Sequence, residues 1–478
     1  MRTPPPLQGG LLRVLFLAAA LVGSSGSELS AQVPASSTAA DREGVSLTIY
    51  NQNFGLVREV RNIRTPRGIF GLEFRDVASG LETATVRVQS QRDQFHVLEQ
   101  NYRYDLLTPQ KLLESHVGQT VTLHQWINGE EVRQDAELLS VQGGTVVRVG
   151  NEILANPNGR FSFSEVPANL IPQPTLVWLV DSEADRHQLE VSYLSSGLNW
   201  QADYVMVVDD ADQHAGLTGW VTLNNQSGAT YDNAELKLVA GDVRRVQDLR
   251  MRGQMDQLMA MESQARSDMS EESFFEYHLY TLGRPTDVKN NEQKQVTLLE
   301  APDFEVEKGL YYYGAAYYFR GQYGNVESNA KIGVYLEFEN SEDNGLGMAL
   351  PAGTFRVYKA DRSGAQQFIG EDRIDHTPRD EEVRIRVGEA FDVVGSRTQT
   401  TFNILSSCVY ESSWEVQIRN HKDEAETVHI VEPAGGDWTI VRSSHPVIDI
   451  DAATFGFDLD VDGRSEETVT YTIRMRWC

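Results

Sequence analysis

A chain of 478 residues with 40% apolar side chains can bury more than one hydrophobic core, which predicts two or three domains. Its 69 acidic residues outnumber 42 basic ones and leave a formal net charge of −27. That sign excludes nucleic acid and anionic membrane surfaces as partners, while divalent cations, basic partners and plain solubility all remain compatible with it.

The first residues carry the pattern of a secretory signal. Arg2 and Arg13 supply positive charge, residues 14–22 (VLFLAAALV) are an apolar run too short to span a bilayer, and Ala31 is the small residue before a cleavage point. Leu29 fits that cut imperfectly, and an earlier cut after Gly26 is the alternative. Residues 1–31 are therefore expected to be removed, with no transmembrane segment after them. The mature chain is expected to be exported, periplasmic or extracellular. Residues 32–44, rich in Ala, Ser and Thr, read as a linker.

From residue 45 the texture is β. Residues 45–103 form an N-terminal β region, with short alternating strands at 47–49, 57–60, 69–74 and 85–89. Within 104–178, Thr108-Pro109 opens a single helical turn over 110–116. Strands then follow at 120–123, 137–141, 145–149 and 160–163, with turns at Asn128-Gly129 and Gly143-Gly144. Short strands with tight turns predict a small inserted barrel of the SH3 type. Residues 179–478 form a C-terminal β-sandwich region, immunoglobulin-like in its strand spacing. Its clearest strands are 200–208, 217–223 and 234–239, separated by Asp209-Asp210-Ala211-Asp212 and Asn225-Gln226-Ser227-Gly228.

An insertion at 246–273 interrupts this pattern. Met251, Met255, Met259, Met261 and Met269 fall in it, and Met251, Met255, Leu258 and Met259 share one helical face. Such a face would suit an adaptable partner surface. Gly253 and the polar majority favour instead a short helical or disordered insertion. Strands resume at Phe275. Residues 310–323 (LYYYGAAYYFRGQY) hold seven aromatic side chains, which stack on sugar rings or peptides where exposed and fill a core where buried.

Chemical motifs are sparse. Neither a G-x-S-x-G elbow nor an H-E-x-x-H zinc helix is present. Ser328-Asn-Ala-Lys331 matches S-x-x-K without its companion motifs, and Gly345-Leu-Gly347 lacks the third glycine of a phosphate loop. Glu276 and His278 share a strand face with Tyr280 beyond, so a carboxylate there would orient the imidazole for acid–base work, or make an ordinary surface hydrogen bond. Asp458, Asp460 and Asp462 before Gly463 match the start of a calcium loop. The twelfth position is Val469 rather than Glu, and the aspartates alternate with Phe457, Leu459 and Val461 as the wet face of a strand would. No cofactor is expected beyond that weak calcium signal. Cys408 and Cys478 would form one disulfide in an oxidising compartment, contributing on the order of 4 kcal/mol by loop closure, or remain two thiols.

Several stretches together carry a resemblance. They are 193–204 (YLSSGLNWQADY), 220–228 (WVTLNNQSG), 234–242 (AELKLVAGD), 275–280 (FEYHLY), 282–285 (LGRP) and 294–298 (KQVTL), with Tyr50-Asn51 and 55–59 (GLVRE) near the start. In these the chain resembles the mucoidy-inhibitor-like bacterial family of exported proteins, a domain family of unknown function. The resemblance covers most of the mature chain. It implies a β-rich fold and an envelope address, and it brings no catalytic residues. The sequence thus points to an exported cell-envelope β protein that binds or assembles with an envelope protein or glycan. The alternative is an envelope glycan or peptide hydrolase whose site is assembled from distant strands.

Overall fold

The two-residue apolar period that marks a half-buried strand runs through most of the chain. The computed structural model follows it: 66% of the described residues are in strands and 4% in helix, all-β and of sandwich type as the pattern predicts. The structure describes residues 35–90, 95–167, 169–241, 243–245 and 269–477.

Three sheets share the larger core. One runs Met269–Phe274, Tyr277–Leu282, Tyr231–Ala240, Arg42–Tyr50, Phe54–Arg64, Arg186–Ser196, Arg87–Ser90. A second runs Glu292–Glu305, His214–Asn225, Leu198–Val208, Gly353–Ala360, Gln366–Ile374, and a third joins Ala35–Ser37, Gly68–Arg75, Thr175–Ser182 and Phe95–Arg103. Leu47, Val57, Trp178, Trp200, Tyr204 and Phe355 all lie in the core between them. Residues 45–103 are therefore no separate unit. Arg42–Tyr50 pairs in parallel with Tyr231–Ala240, and Phe54–Arg64 pairs antiparallel with Arg186–Ser196.

The linker expected over 32–44 is ordered where it is described. Ala35–Ser37 pairs with Gly68–Arg75, and a capping box between Thr38 and Asp41 turns the chain into Arg42–Tyr50. Buried Arg61 fixes this turn by donating to the carbonyls of Ser37 (3.4 Å) and Arg75 (2.8 Å). Thr38, one of the small polar residues that made the segment look like a linker, is its cap.

The inserted unit keeps its own small core of Val121, Leu123, Ala136, Leu138 and Val147. It opens with the helix Pro109–Ser115, whose Thr108 hydroxyl accepts from the Lys111 amide at 3.1 Å. Its five strands run Glu152–Ala155, Val146–Val149, Glu130–Ser140, Thr120–Ile127, Arg160–Ser162. Only residues 156–159 link the two edge strands, so the sheet curls strongly. The edges, four and three residues long, form no ladder with each other, and the expected SH3-like barrel is not closed. The expected boundary at 178 also falls inside Thr175–Ser182, a strand of the larger core.

Nine of the strands after residue 306 form one sheet, in the order Asp437–Ser443, Ser465–Arg476, Val409–Asn420, Glu382–Ser406, Asn325–Glu339, Glu307–Tyr313, Glu426–Pro433, Thr454–Val461, Ile448–Asp451. It folds back on itself, so that Phe455 and Phe457 of one arm meet Tyr471 of the other across a second core. Asn325–Glu339 and Glu382–Ser406 belong to both cores. Leu336, Phe338, Val383 and Ile385 enter the larger one, and Ile332, Ala390 and Val393 the smaller.

Of the insertion expected at 246–273, residues 246–268 lie outside the described residues, as do residues 1–31, expected to be a signal peptide. Residues 269–273 are neither helical nor disordered: Met269–Phe274 is a strand paired with Tyr277–Leu282.

Candidate functional site

Two places gather chemistry. The first is a pocket of about 130 Å³ lined by Gly241, Glu276, His278, Tyr280, Leu350 and His376, among others. Its floor is the hairpin of Met269–Phe274 and Tyr277–Leu282, which puts Glu271, Ser273, His278 and Tyr280 on one face. His278 Nδ1–H donates to Glu271 Oε1 at 2.7 Å. The other Glu271 oxygen accepts the Ala349 amide at 3.2 Å, and the Tyr280 hydroxyl donates to the Ala349 carbonyl at 2.9 Å. Burial, with the Glu271 charge beside it, pushes the Tyr280 hydroxyl well above the ordinary tyrosine value, so it stays a donor. The imidazole is thus held in one tautomer with Nε2 as an acceptor. His376 takes the opposite tautomer: Nδ1 accepts the Ala352 amide at 3.1 Å, so the ring proton sits on Nε2, which lies 3.2 Å from the Asn51 side-chain amide.

Glu276, His278 and Tyr280 line one pocket, but Glu276 stands in the turn before the strand and not on the strand face expected for it. The carboxylate that orients His278 is however Glu271, not Glu276. Glu271 was hidden because residues up to 273 were read as an insertion; the alternation Met269, Glu271, Ser273 is too short to outweigh the methionine spacing before it. His376 and Asn51 arrive from distant turns with no local signal.

The second place is the outer face of the nine-stranded sheet. The aromatic run divides: Leu310, Tyr312, Tyr318 and Phe319 enter the core, whereas Tyr311 and Tyr313 point outward with Tyr335 and His429. His429 lies opposite Tyr311 in a parallel ladder, and the rings stack at 4.8 Å. Tyr311 meets Tyr335 at 5.3 Å and Tyr313 at 6.0 Å; Tyr313 and Tyr335 are 6.3 Å apart. Glycines make room for these rings. A Cβ on Gly333 would lie 2.7 Å from the Tyr335 ring, and one on Gly309 would strike the Tyr311 ring. Charges border the cluster in matched pairs. Arg384 bonds Glu337, with its guanidinium 4.6 Å from the Tyr311 ring centre, and His429 Nδ1 lies 2.7 Å from Asp458. Burial and the bond to Glu337 raise the Tyr311 hydroxyl above its ordinary value. Tyr313 remains 41% exposed, which leaves ring surface for a ligand.

The remaining candidates separate. Asp458 faces His429, Asp460 accepts the Thr427 hydroxyl at 2.6 Å, and the Asp462 carbonyl accepts from Ser465. No group of three His, Cys, Asp or Glu side chains that could hold a metal occurs among the described residues, so the aspartates do not form a calcium loop. Ser328 Oγ accepts from Asn325 while Lys331 pairs with Glu389 at 3.3 Å, so S-x-x-K brings no base to its serine. Gly345 and Gly347 are left-handed turn residues before a strand, not before a helix. Trp477 N–H donates to the Cys408 carbonyl at 2.8 Å; Cys478 lies outside the described residues. No helix among the described residues is long and apolar enough to cross a membrane.

No protein-family model matches the chain, and no curated protein matches it.

Proposed function

We propose that this chain is an exported, non-enzymatic binding protein of the bacterial cell envelope, of the mucoidy-inhibitor-like family it resembles, and that its ligand is an envelope glycan. The observation that carries this reading is the outward cluster of Tyr311, Tyr313, Tyr335 and His429 on a rigid sheet. Aromatic rings offer large, stiff contact area at little entropic cost, and their faces suit the apolar sides of sugar rings. Hydroxyl, imidazole and guanidinium groups at the rim suit sugar hydroxyls. The charges bordering the cluster are paired with each other, which favours a neutral glycan over a charged partner.

The test compares the mature chain (residues 32–478) with the variant Tyr313→Ala/Tyr335→Ala on immobilised soluble envelope polysaccharide. Retention of the wild type, and its loss in a variant that melts at the same temperature, supports the reading. Equal retention of both, or none of either, refutes it. Release of shortened polysaccharide would favour the hydrolase alternative, which the oriented His278 imidazole would serve. Against that alternative, Ser273 lies opposite His278 in the ladder without a hydrogen bond to it, and the Thr377 hydroxyl is spent on the Asp375 carbonyl.

A further inference from the structure

The pocket at the Met269–Phe274/Tyr277–Leu282 hairpin is rich in hydrogen-bond acceptors. Several of its donors are spent, and the His376 Nε2–H is turned to the Asn51 side chain. The Ala349 amide goes to Glu271 and the Tyr280 hydroxyl to the Ala349 carbonyl. The amides of Leu350 and Thr377 go to each other's carbonyls. The Thr377 hydroxyl goes to the Asp375 carbonyl, and Pro378 has no amide hydrogen to give. Two acceptors stay open: the Glu276 carboxylate, and His278 Nε2, which takes part in no hydrogen bond among the described residues while Nδ1–H is held by Glu271.

No Lys or Arg is among the residues that line the pocket. Glu276 in its wall and Glu271 behind His278 make it electronegative, in a chain whose net charge is −27 and so draws cations toward it. Its volume of about 130 Å³ is close to the ~150 Å³ cavity that holds a benzene ring, and so admits a head group of a few heavy atoms. An anion would meet two carboxylates, and a neutral apolar group would leave the acceptors unpaired.

We propose that this pocket binds a primary ammonium group on a short carbon stem. Its three N–H donors match the Glu276 carboxylate, His278 Nε2 and a further wall oxygen. The charge-assisted bond to Glu276 supplies most of the selectivity. The site is independent of the tyrosine face and stands whether or not that face binds glycan.

The experiment titrates n-butylammonium into the mature chain carrying ¹³Cε1-labelled histidine. The His278 resonance is assigned from His278→Asn. The expected result is a saturable shift of that resonance with n-butylammonium and none with 1-butanol or butyrate. Glu276→Gln should weaken binding at least tenfold. Glu272→Gln removes the same charge from the opposite face of the hairpin and should leave binding unchanged. Nα-acetyl-lysine amide and glucosamine distinguish the sources: the tighter of the two shows whether the amine arrives on a peptide side chain or on a sugar ring. Equal shifts with 1-butanol, equal weakening by Glu272→Gln, an unchanged affinity in Glu276→Gln, or no saturable shift would each overturn the proposal. Glu276 lies in an exposed turn, so its substitution leaves the fold intact.

Discussion

Arg397→Met is the perturbation that most directly tests how the smaller core carries its charges. Arg397 is fully buried. Its Nε and Nη2 donate to Glu432 Oε1 at 3.2 and 2.9 Å, and its Nη1 donates to Glu327 at 3.2 Å and to the Tyr313 carbonyl at 3.3 Å. The guanidinium lies 4.3 Å from the Tyr312 ring centre. Burial pushes the Glu432 carboxyl up, against the downward pull of Arg397. Without the guanidinium, burial and the nearby Glu327 charge drive Glu432 to take up a proton.

Keeping a carboxyl of ordinary value 4.5 protonated at pH 7 spans 2.5 units, which at ~1.36 kcal/mol each costs about 3.4 kcal/mol. That agrees with the roughly 3–5 kcal/mol seen when one partner of a buried pair is removed. A folded-state value raised above the unfolded one makes the native state bind more protons. The penalty therefore grows as pH rises from 4.5 and vanishes below it. At pH 5 the protonation part falls to about 0.7 kcal/mol by the same conversion. Because Glu432 is already raised in the wild type, urea unfolding should show Arg397→Met losing at most about 2.7 kcal/mol more at pH 7 than at pH 5, relative to wild type. Arg397→Met/Glu432→Leu should abolish that dependence and recover most of the loss. A loss equal at both pH values, or a double variant as unstable as the single, would refute the reasoning.

In the inserted sheet, Arg160, Arg133 and His124 bond Glu131 and pull its carboxyl down to about 2. The stability it contributes is complete above the ordinary 4.5 and is lost as pH falls through 2, so the melting difference between wild type and Glu131→Gln should shrink over that range. A Cβ at Gly370 would lie 2.8 Å from Val387 Cα and strike the Val387 carbonyl, so Gly370→Ala should cost about 1–3 kcal/mol in urea unfolding. The bond from Trp477 to the Cys408 carbonyl brings the chain's end beside Cys408, and we expect a disulfide with Cys478 in protein exported to an oxidising compartment. Alkylation without reductant, followed by intact mass, should then add no label, and two labels would refute the bond.

Strands were legible wherever apolar and polar residues alternate over six or more positions. The stretch read as 217–223 proves to be His214–Asn225, with Leu217, Val221 and Leu223 buried as the alternation requires. Partnership was not legible, because a period of two says which face a residue takes and nothing about which strand lies beside it. Hence Arg42–Tyr50 looked like part of a local unit, although it pairs with a strand about 190 residues on. The pocket shows the same limit. His278 and Tyr280 follow from one strand's alternation, with Glu276 in the turn before it and Glu271 on the other arm of the hairpin, whereas His376 comes from an element that only the tertiary fold brings near. In the aromatic run, Tyr311 and Tyr313 turn outward and Tyr312 inward by simple alternation, but the stacking of His429 on Tyr311 needs the parallel pairing that sequence does not disclose.

The two strands shared by both cores have a mechanical consequence. Asn325–Glu339 and Glu382–Ser406 are hydrogen-bonded to each other across the junction, so the cores are joined by an antiparallel ladder rather than by a linker. A strand of 25 residues spans roughly 80 Å at ~3.3 Å per residue, somewhat less where bulges shorten it. Such a ladder twists but does not hinge. The tyrosine face lies where these strands pass from one core to the other and the hairpin pocket lies on the larger core, so the ladder ties the two places together. A polymer and an amine held at the two places would be kept apart by a strut, the protein acting as a gauge of distance between them.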